Sequence, residues 1–311
     1  MDGEVTIGID VSKDRLDVHV LPSGQAFIVA RDDEGLNELA ARLGELKPKV
    51  VAVEATGGFE RTVAAALAGA GLPLVVVNPA QVRAFSQALG RRAKTDPIDA
   101  AVIARFAQAT DPQVRPLANE AERLLADLVS RRRQIVQMIG AEKQREKRLA
   151  EPRVRRSIAR LVKALQKELT DLDGQIGDEI RRSPAWRETE DLLRTVPGVG
   201  PQISRTLLAE LPELGSLDRR QIAALAGLAP WTRQSGKWKG KSFIGGGRAP
   251  VRTALFIGAL VAARHNPVLR AFHQRLIAAG KPKMVALTAT ARKLLTILNT
   301  MVRTQQPWRS A

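Results

Sequence analysis

The sequence predicts an α/β domain followed by two mostly helical parts. Three features of its 311 residues support this organisation. Short β-type runs alternate with amphipathic helical patterns at the start, a heptad repeat of apolar residues occupies the middle, and helical patterns around one Gly-rich basic loop make up the rest. We place the three parts at residues 1–115, 116–183 and 184–311, since a chain of this length normally holds more than one domain.

The first domain opens with three short strands. The runs "EVTIGIDV", "DRLDVHVL" and "GQAFIVA" are separated by turn signals, and Leu16, Val18 and Val20 of the second run alternate inward. Strands joined in this way form an antiparallel meander. An amphipathic helical pattern, "DEGLNELAARLGEL", completes this stretch.

Parallel strands and further helices are predicted next. The run "KVVAVEAT" is mostly apolar, which suits a strand buried on both faces of a parallel sheet. A helix over 59–69, the strand "LPLVVV" and the helix "PAQVRAFSQALG" follow, and another helix begins near Asp96. The order βββαβαβα with this added helix matches the ribonuclease H-like fold.

Four carboxylates fall at the ends of these elements. Asp10 closes the first strand, Glu54 closes the fourth, and Asp96 and Asp99 lie where the last helix begins. Capping alone explains the last two, with Asp96 as N-cap and Pro97 as the first helical residue. Residues i and i+3 also share a helix face, and hard oxygen ligands suit Mg²⁺ or Mn²⁺. Four acids at these positions favour a metal site, and Asp96 is able to serve both purposes.

The charge balance predicts a polyanionic partner. The chain has 49 Lys and Arg against 32 Asp and Glu, a net charge of +17. Residues 1–116 carry 13 basic and 15 acidic side chains, whereas 117–311 carry 36 basic and 17 acidic ones. We therefore expect metal chemistry in the first third and nucleic-acid contacts mostly in the remainder.

Several residue types are missing or sparse, which excludes some chemistries. The chain has no Cys, so it has neither disulfides nor a thiolate nucleophile. It has no Tyr, which excludes a tyrosine recombinase or topoisomerase mechanism, and its three His are scattered. No signal peptide precedes the first strand, and the most apolar run, 254–263, is too short for a bilayer. We expect a cytoplasmic, nucleoid-associated protein with no membrane partner.

The middle part is long, charged and helical. Pro152 divides it, and apolar residues recur at heptad spacing over about three repeats of the second half. This pattern predicts a helical hairpin or coiled coil. The predicted seam consists of Ile158, Leu161, Leu165, Leu169, Leu172, Ile176 and Ile180.

Two basic runs lie in the first half of this part. The run "SRRRQ" contains Arg131, Arg132 and Arg133, and "EKQREKR" covers 142–148. One interpretation is an ordinary solvated helix face. The other is a basic arm that follows a phosphate backbone or forms a dimer, and the sequence leaves both open.

The third part begins with a helix-hairpin-helix-like motif. In "TVPGVGPQISRTLLAEL", a short turn with Gly198 and Gly200 precedes an apolar helix. Such a turn can offer backbone N–H groups to a phosphate without reading base sequence. The alternative is an ordinary connection between two helices.

The loop over 229–256 combines cations, aromatic residues and glycines. Basic residues bind phosphates, aromatic rings stack on bases, and glycines allow close backbone approach. Ser235 lies among these cations, which would stabilise an attacking alkoxide and a pentacovalent phosphate. The predicted contacts are Arg233, Lys237, Trp238, Lys239, Lys241, Arg248 and Arg252, with Trp231 and Phe243 beside them.

Nearly the whole chain resembles the DEDD insertion-sequence transposases, the family numbered one hundred and ten, which includes the pilin-gene DNA invertases. "GIDVSKDRLDV" resembles the first acidic motif of that family, and "VEATGGFE" resembles its Glu motif. The stretch "NPAQVRAFSQALGRRAKTDPIDAAVIARF" resembles its long Asp-x-x-Asp motif. "VPGVGPQISRTLLAEL" and "RQSGKWKGKSFIGGGRAPVRTALF" resemble its C-terminal transposase domain. One departure is "GGFE" after Glu54, where an aromatic residue is expected one position earlier.

The resemblance implies a RuvC-like first domain with Asp10, Glu54, Asp96 and Asp99 as Mg²⁺ ligands. It also implies that Ser235 attacks a DNA phosphodiester and becomes covalently linked to the strand. Further implied partners are donor and target DNA, a structured guide RNA from the noncoding end of the element, and copies of the chain in a dimer to tetramer. Only the resemblance separates Ser235 from Ser204 and Ser242 as the nucleophile.

Two other functions compete with a serine-using transposase-recombinase. A RuvC-like Holliday-junction nuclease would use metal-activated water and would tolerate the loss of the Ser235 hydroxyl. A non-catalytic nucleic-acid-binding protein would use its acids only to cap and end elements. Four acids at fold-consistent positions argue against the second of these.

Overall fold

The computed structural model describes residues 4–90, 96–114, 117–232, 234–235 and 238–309, with the backbone alone at 96–98 and 238–239. The chain forms two compact units. We call Met1–Ala118 the amino-terminal unit and Asn119–Ala311 the carboxyl-terminal unit. This division is coarser than the three predicted parts, whose boundaries stay a prediction.

The amino-terminal unit has the predicted order of elements. Strands and helices alternate as βββαβαβα, and one further helix follows, which confirms the sequence prediction. The elements are β1 (Thr6–Val11), β2 (Arg15–Leu21), β3 (Ala26–Ala30), α1 (Asp33–Glu45), β4 (Val50–Glu54), α2 (Glu60–Gly69), β5 (Leu74–Val77), α3 (Pro79–Ala88) and α4 (Asp96–Thr110).

Five strands form one mixed sheet in the order β3-β2-β1-β4-β5. The β1–β2 and β2–β3 pairs are antiparallel, which confirms the predicted meander. The β1–β4 and β4–β5 pairs are parallel. Strand β4 is buried at four of its five residues and lies between two parallel neighbours, as its apolar run predicted.

Helices cover both faces of this sheet. On one face, Ile9 of β1 and Val53 of β4 pack with Leu39 of α1 and Leu67 of α2. On the other face, residues of β4 and β5 pack with Ile103 of α4 and its neighbours. The sheet is therefore the middle layer of a three-layer α/β unit.

Helix α4 includes Asp96 as a helical residue, one position earlier than predicted. A difference of one residue at a helix end carries little structural meaning. The side chain of Asp96 lies outside the described residues, so its predicted role as an N-cap stays a prediction.

The carboxyl-terminal unit is mostly helical, as predicted. Very short strand pairs occupy the loop before α10. The elements are α5 (Glu120–Arg148), α6 (Pro152–Arg182), α7 (Pro184–Arg194), α8 (Pro201–Glu210), α9 (Arg219–Leu225), β6 (Pro230–Trp231), β7 (Gln234–Ser235), β8 (Trp238–Lys239), β9 (Phe243–Ile244), α10 (Ala249–His265), α11 (Pro267–Ala278) and α12 (Lys283–Thr304).

Helices α5 and α6 pack together as the predicted helical hairpin, with one correction to its seam. Ile135 and Ile139 of α5 pack against α6 residues that include Leu165, Leu169 and Leu172. Leu161 was predicted to lie on this seam, but its exposed fraction is 47%, whereas that of Val162 is 8%. The seam advances from Ile158 by four residues and then by three, so Val162 takes the buried position.

The core of this unit lies around α10 and α12, where Leu255, Ala259, Leu294 and Leu298 are fully buried. Within the part of the chain that the structure describes, no helix combines the length and apolarity needed to cross a membrane.

Candidate active site and nucleic-acid surfaces

The strand register brings Asp10 and Glu54 next to each other. In the parallel β1–β4 pair, Ile9 lies opposite Val53, so Asp10 and Glu54 are neighbours one residue further along. Side chains alternate between the faces of a sheet. Because Ile9 and Val53 pack on the α1–α2 face, Asp10 and Glu54 belong to the opposite face, which α4 covers.

Helix α4 lies directly on β1 at Gly8. A Cβ atom at Gly8 would come within 2.3 Å of both the Ala100 oxygen and the Ala104 nitrogen. Only glycine permits this distance between a strand and a helix backbone. The first turns of α4 therefore pass over β1 two residues before Asp10.

The two salt bridges of Lys49 show in which direction α4 runs relative to the sheet. Its Nζ atom lies 3.2 Å from Asp111 Oδ1, just beyond the end of α4, and 2.6 Å from Glu4 Oε2, just before β1. The carboxyl end of α4 is thus at the amino ends of β1 and β4. The helix runs antiparallel to both strands, so Asp96 and Asp99 lie at the strand ends that carry Asp10 and Glu54.

These acids share one end of one face, but a complete cluster of ligands is not formed there. Among the described residues, no group of three or more Asp, Glu or His side chains is close enough to hold a metal ion. Asp10, Glu54 and Asp99 are half-buried, and the Asp96 side chain lies outside the described residues. The predicted set of metal ligands stays a prediction, although its all-carboxylate chemistry is that which Mg²⁺ prefers.

Asp17 is a fifth carboxylate on this face that the sequence analysis missed. It lies opposite Asp10 in the antiparallel β1–β2 register and its exposed fraction is 2%. Its Oδ2 accepts a hydrogen bond from Arg15 Nε at 3.1 Å, and its Oδ1 has no hydrogen-bond partner among the described residues. The inward alternation of Leu16 and Val18 is confirmed, and it places Asp17 on the opposite face of the sheet. The sequence does predict the helix that begins near Asp96, and this helix covers the face of the sheet that carries Asp17.

Glu60 holds the turn that follows Glu54. Its Oε2 accepts hydrogen bonds from the backbone nitrogens of Thr56 at 3.0 Å and Gly58 at 2.8 Å. Burial would raise the pKa of Glu60, but these backbone hydrogen bonds outweigh it and hold the pKa below its usual value. Glu60 therefore anchors the chain directly after the candidate ligand Glu54 as a charged carboxylate.

Ser235 lies in a short antiparallel strand pair of the carboxyl-terminal unit. It is paired with Trp238 across the two-residue strands β7 and β8, and its side chain is exposed. Trp231 and Phe243 stack across the adjacent β6–β9 pair, with ring centroids 6.1 Å apart. Arg233 and Lys237 lie outside the described residues, as do the side chains of Trp238 and Lys239.

The two alternative serines differ from each other in accessibility. Ser204 is completely buried and its Oγ hydrogen-bonds the backbone oxygens of Gly200 and Pro201. It cannot reach a DNA strand in this arrangement. Ser242 is exposed in the same loop as Ser235, so it remains an alternative nucleophile.

Several predicted phosphate-binding arginines have partners within the chain. Arg132 forms a bidentate pair with Asp173, with Nε 2.6 Å from Oδ1 and Nη2 3.3 Å from Oδ2. Arg133 Nη1 lies 2.6 Å from Glu210 Oε1. The remaining predicted arginine of this run, Arg131, is exposed, and its Nη1 donates to Gln134 Oε1 at 3.2 Å.

Two arginines of the Gly-rich loop also have internal partners. Arg248 forms a bidentate pair with Glu213 and donates to the Glu210 carbonyl at 3.0 Å. Arg252 donates to the Gly246 carbonyl at 2.6 Å. Lys241 of the same loop is exposed and forms no salt bridge with a described residue. A structural role is thus shown for Arg132, Arg133, Arg248 and Arg252, whereas a role in phosphate binding stays a prediction.

The predicted hairpin at Gly198 and Gly200 has a structural explanation at its first glycine. Gly198 has φ of +108°, and a Cβ there would lie 2.7 Å from the Ala262 Cβ and 2.9 Å from the Ala262 nitrogen. Close packing on α10 therefore requires glycine at this position without any ligand. Gly200 is the exposed N-cap of α8 with open space around it, so its contact with phosphate stays a prediction.

Two family models match this chain. Residues 7–151 match the IS110-type DEDD model, described as a transposase, and residues 190–274 match the model described as the transposase IS116/IS110/IS902 family. The first match includes Asp10, Glu54, Asp96 and Asp99, and the second includes Ser235.

Relatives of this chain match it over different shares of their length. The pilin gene-inverting proteins of Moraxella bovis and Moraxella lacunata are each 28% identical to this chain, and the match covers 97% of this chain and 97% of each relative. The uncharacterized 42 kDa protein of insertion element IS900 from Mycobacterium paratuberculosis is 33% identical over 47% of this chain and 36% of its own length. Because models of one family account for its amino-terminal acids and for its carboxyl-terminal loop alike, the chain belongs to the IS110/IS116/IS902 transposases, enzymes that act on DNA.

Proposed function

We propose that this transposase cuts and joins DNA through a covalent serine–DNA intermediate. Ser235 Oγ attacks the phosphorus of a phosphodiester, and the bond from that phosphorus to the leaving sugar oxygen breaks. The serine proton is lost and the released sugar hydroxyl gains one, so the step conserves the phosphodiester bond energy. A later attack by a DNA hydroxyl reverses the linkage and joins the new strands.

The placement of the acids on the sheet carries the metal-assisted part of this proposal, and the exposure of Ser235 supports the covalent part. Asp10 and Glu54 are neighbours at the ends of parallel strands, and the antiparallel direction of α4 brings Asp99 to the same end. We infer that Asp10, Glu54, Asp96 and Asp99 hold Mg²⁺ or Mn²⁺ here. A divalent cation at such a site supplies charge stabilisation for the transferred phosphoryl group.

The strand order supports a RuvC-like fold for the amino-terminal unit. An antiparallel β3-β2-β1 meander continues into the parallel strands β4 and β5, and a helix covers the face that bears the acids. This is the arrangement that the ribonuclease H-like interpretation requires. Mixed sheets of this kind occur in other folds, so the acids carry the functional argument and the topology only agrees with it.

The partners follow from the same proposal. Donor and target DNA are the substrates, and the excess of basic residues in 117–311 supports contacts with their phosphates. We infer that a structured guide RNA from the element selects the sites, that the chain acts as a dimer to tetramer, and that it works at the nucleoid.

A covalent-trapping assay tests the proposed chemistry. Purified protein is incubated with Mg²⁺, the flanking RNA of its element and labelled donor and target DNA, then run on a denaturing gel. Ser235→Ala, Asp99→Asn and Ser242→Ala are run beside the wild type, since Ser242 is an exposed serine of the same loop. We expect a protein-linked DNA band for the wild type and Ser242→Ala, and none for the other two variants.

The opposite results are equally clear. Cleaved DNA without a covalent band, together with full activity of Ser235→Ala, would identify water as the nucleophile and the protein as a junction nuclease. A band that Ser242→Ala loses and Ser235→Ala retains would move the nucleophile to Ser242.

A further inference from the structure

A basic cavity lies on the carboxyl-terminal unit, away from the loop that carries Ser235 in sequence. It has a volume of about 610 Å³ and is lined by the start of α9, the last turns of α12 and the segment 305–309 that follows. None of the described residues of the predicted hairpin at Gly198 or of the Gly-rich loop contributes to its lining. The proposed chemistry gives this cavity no role.

Four cations line the cavity, and none of them forms a salt bridge with a described acidic residue. They are Arg219, Lys293, Arg303 and Arg309. An excess of positive charge along the lining of a concave site attracts anions. The cavity therefore favours a ligand with more than one negative charge.

The carboxylate of Asp218, among the described lining residues, already accepts two hydrogen bonds. Asp218 Oδ1 accepts hydrogen bonds from the backbone nitrogens of Arg220 at 2.6 Å and Gln221 at 2.8 Å, and so caps α9. These two bonds hold the pKa of Asp218 below its usual value. Attraction to the charge of Arg219 also lowers this pKa, so Asp218 offsets one of the four cations and leaves three in excess among the described lining residues.

Trp308 supplies an aromatic wall beside these cations. Its ring packs partly on the core of the unit, and its backbone nitrogen donates to Thr195 Oγ1 at 3.1 Å. The segment that carries it is therefore anchored. The indole Nε1 is buried and has no hydrogen-bond partner among the described residues, although a buried donor normally has an acceptor.

We propose that this cavity binds a segment of single-stranded nucleic acid, with its phosphates on the four cations and a base against Trp308. An aromatic wall beside phosphate-binding cations is the combination that single strands require. A duplex presents its phosphates on a convex surface and stacks its bases inside, so its bases cannot reach a wall within a concave site of this size. RNA and DNA single strands share the required phosphate and base. The choice of ligand class rests on the proposed function, whereas the choice of site rests on these residues.

Fluorescence anisotropy with the full-length protein tests this inference. The probes are a labelled 15-nucleotide RNA, a DNA strand of the same sequence and the corresponding DNA duplex. The pocket variant is Arg219→Ala with Arg303→Ala. Its matched control is Arg187→Ala with Arg270→Ala, which removes two exposed arginines that lie outside the cavity. Thermal unfolding confirms that all variants are folded.

We expect the pocket variant to bind a single strand at least tenfold more weakly and the control to change by less than twofold. The slope of log affinity against log salt is negative, and each lost phosphate contact on a single strand reduces its magnitude by about 0.7. The loss of two contacts therefore reduces it by about 1.4. Arg303→Lys should restore part of the affinity, since it restores the charge. Preference of the pocket for RNA or for DNA would identify which strand occupies it.

Trp308→Phe tests the base contact separately. We expect weaker binding of the intact strand and unchanged binding of an abasic strand, because only the former brings a base to the indole.

Equal losses of single-strand affinity for the pocket and control variants, or an equal loss of affinity for the duplex, would overturn the inference. These binding measurements require no cleavage, so they test the cavity even if the covalent-trapping assay fails.

Discussion

Asp10 on β1 lies directly opposite Asp17 on β2, so two carboxylates occupy paired positions on one face of the sheet. Like charges directly opposite each other destabilise an antiparallel pair. Asp17 is also almost fully buried, with one oxygen that lacks a hydrogen bond from a described residue. Burial of such a charge costs free energy, and a cation near Asp10 would recover part of it.

The first prediction concerns the charge of Asp17. Asp17→Asn keeps the shape of the side chain and removes the repulsion, so we expect it to raise the thermal unfolding temperature in EDTA by about 3 °C, or about 1 kcal/mol. It should also reduce the further increase that Mg²⁺ produces in the wild type. Calorimetry with and without Mg²⁺ measures both effects, without any need for activity.

Asp14→Asn is the control for this substitution, because Asp14 is an exposed acid of the turn between the same strands. It should change neither value. A lower unfolding temperature for Asp17→Asn in EDTA would show instead that the hydrogen bond from Arg15 outweighs the repulsion.

The second prediction concerns the contact between α4 and β1. Gly8→Ala places a Cβ 2.3 Å from backbone atoms of Ala100 and Ala104, so α4 must move away from the sheet. We expect a loss of about 3 kcal/mol in the free energy of unfolding, together with loss of DNA cleavage because Asp99 moves with the helix. Denaturant unfolding and a cleavage assay measure the two losses.

Gly44→Ala is the matched control for Gly8→Ala. Gly44 lies in helix α1 with no atom within 4 Å of its added Cβ, and alanine favours a helix by about 0.5 to 1 kcal/mol over glycine. We expect Gly44→Ala to be neutral or stabilising and fully active. Equal stability of the two variants would show that α4 does not approach β1 as closely as described.

The third prediction concerns the acid dependence of the carboxyl-terminal unit. Burial would raise the pKa of Asp173, but hydrogen bonds from Arg132 and Gln202 outweigh it and hold the pKa below its ordinary value. A carboxylate with a depressed pKa in the folded state stabilises the fold above its unfolded-state pKa. This contribution disappears as the pH falls through the lower, folded-state value.

We therefore expect the wild type to lose this part of its stability only below about pH 4, the range of an ordinary aspartate. Asp173→Asn should be less stable than the wild type at pH 7, and the difference should shrink as the pH falls below 4. Urea unfolding across this pH range checks the prediction. A constant difference from pH 7 to pH 3 would mean that Asp173 has an ordinary pKa.

Local patterns predicted most of the amino-terminal unit but not the partners of its side chains. Apolar runs and turn signals were enough to predict the five strands. The predicted order of the strands was enough to place Asp10 and Glu54 at the same end of the sheet. A period of two did not reveal that α4 covers the second face, so the burial of Asp17 was missed. The same limit applies to Leu161, because a heptad count drifts relative to a real helix.

Long-range contacts explain the remaining differences in the carboxyl-terminal unit. Gly198 has the spacing of a phosphate-binding turn, but it is required by Ala262, far along the chain on α10. Arg132 looks like its neighbour Arg131 in sequence, yet its acidic partner is Asp173 on the next helix. Spacing within a motif contains no information on a partner that the fold brings from elsewhere.

The last prediction uses this difference between adjacent arginines. Arg131 is exposed, whereas the Arg132 side chain is 20% exposed and is held by both oxygens of Asp173. Arg132→Ala leaves a partly buried carboxylate without its main donor, and we expect it to cost about 2 kcal/mol of unfolding free energy. Arg131→Ala should change stability by less than about 0.5 kcal/mol.

If Arg131 contacts a phosphate, its removal should weaken duplex DNA binding and reduce the magnitude of the salt slope by about 0.9. Urea unfolding and DNA binding on both variants separate the two roles. An unchanged salt slope for Arg131→Ala would return this helix face to the interpretation of an ordinary solvated surface, and a stability loss would show instead that Arg131 has a structural role.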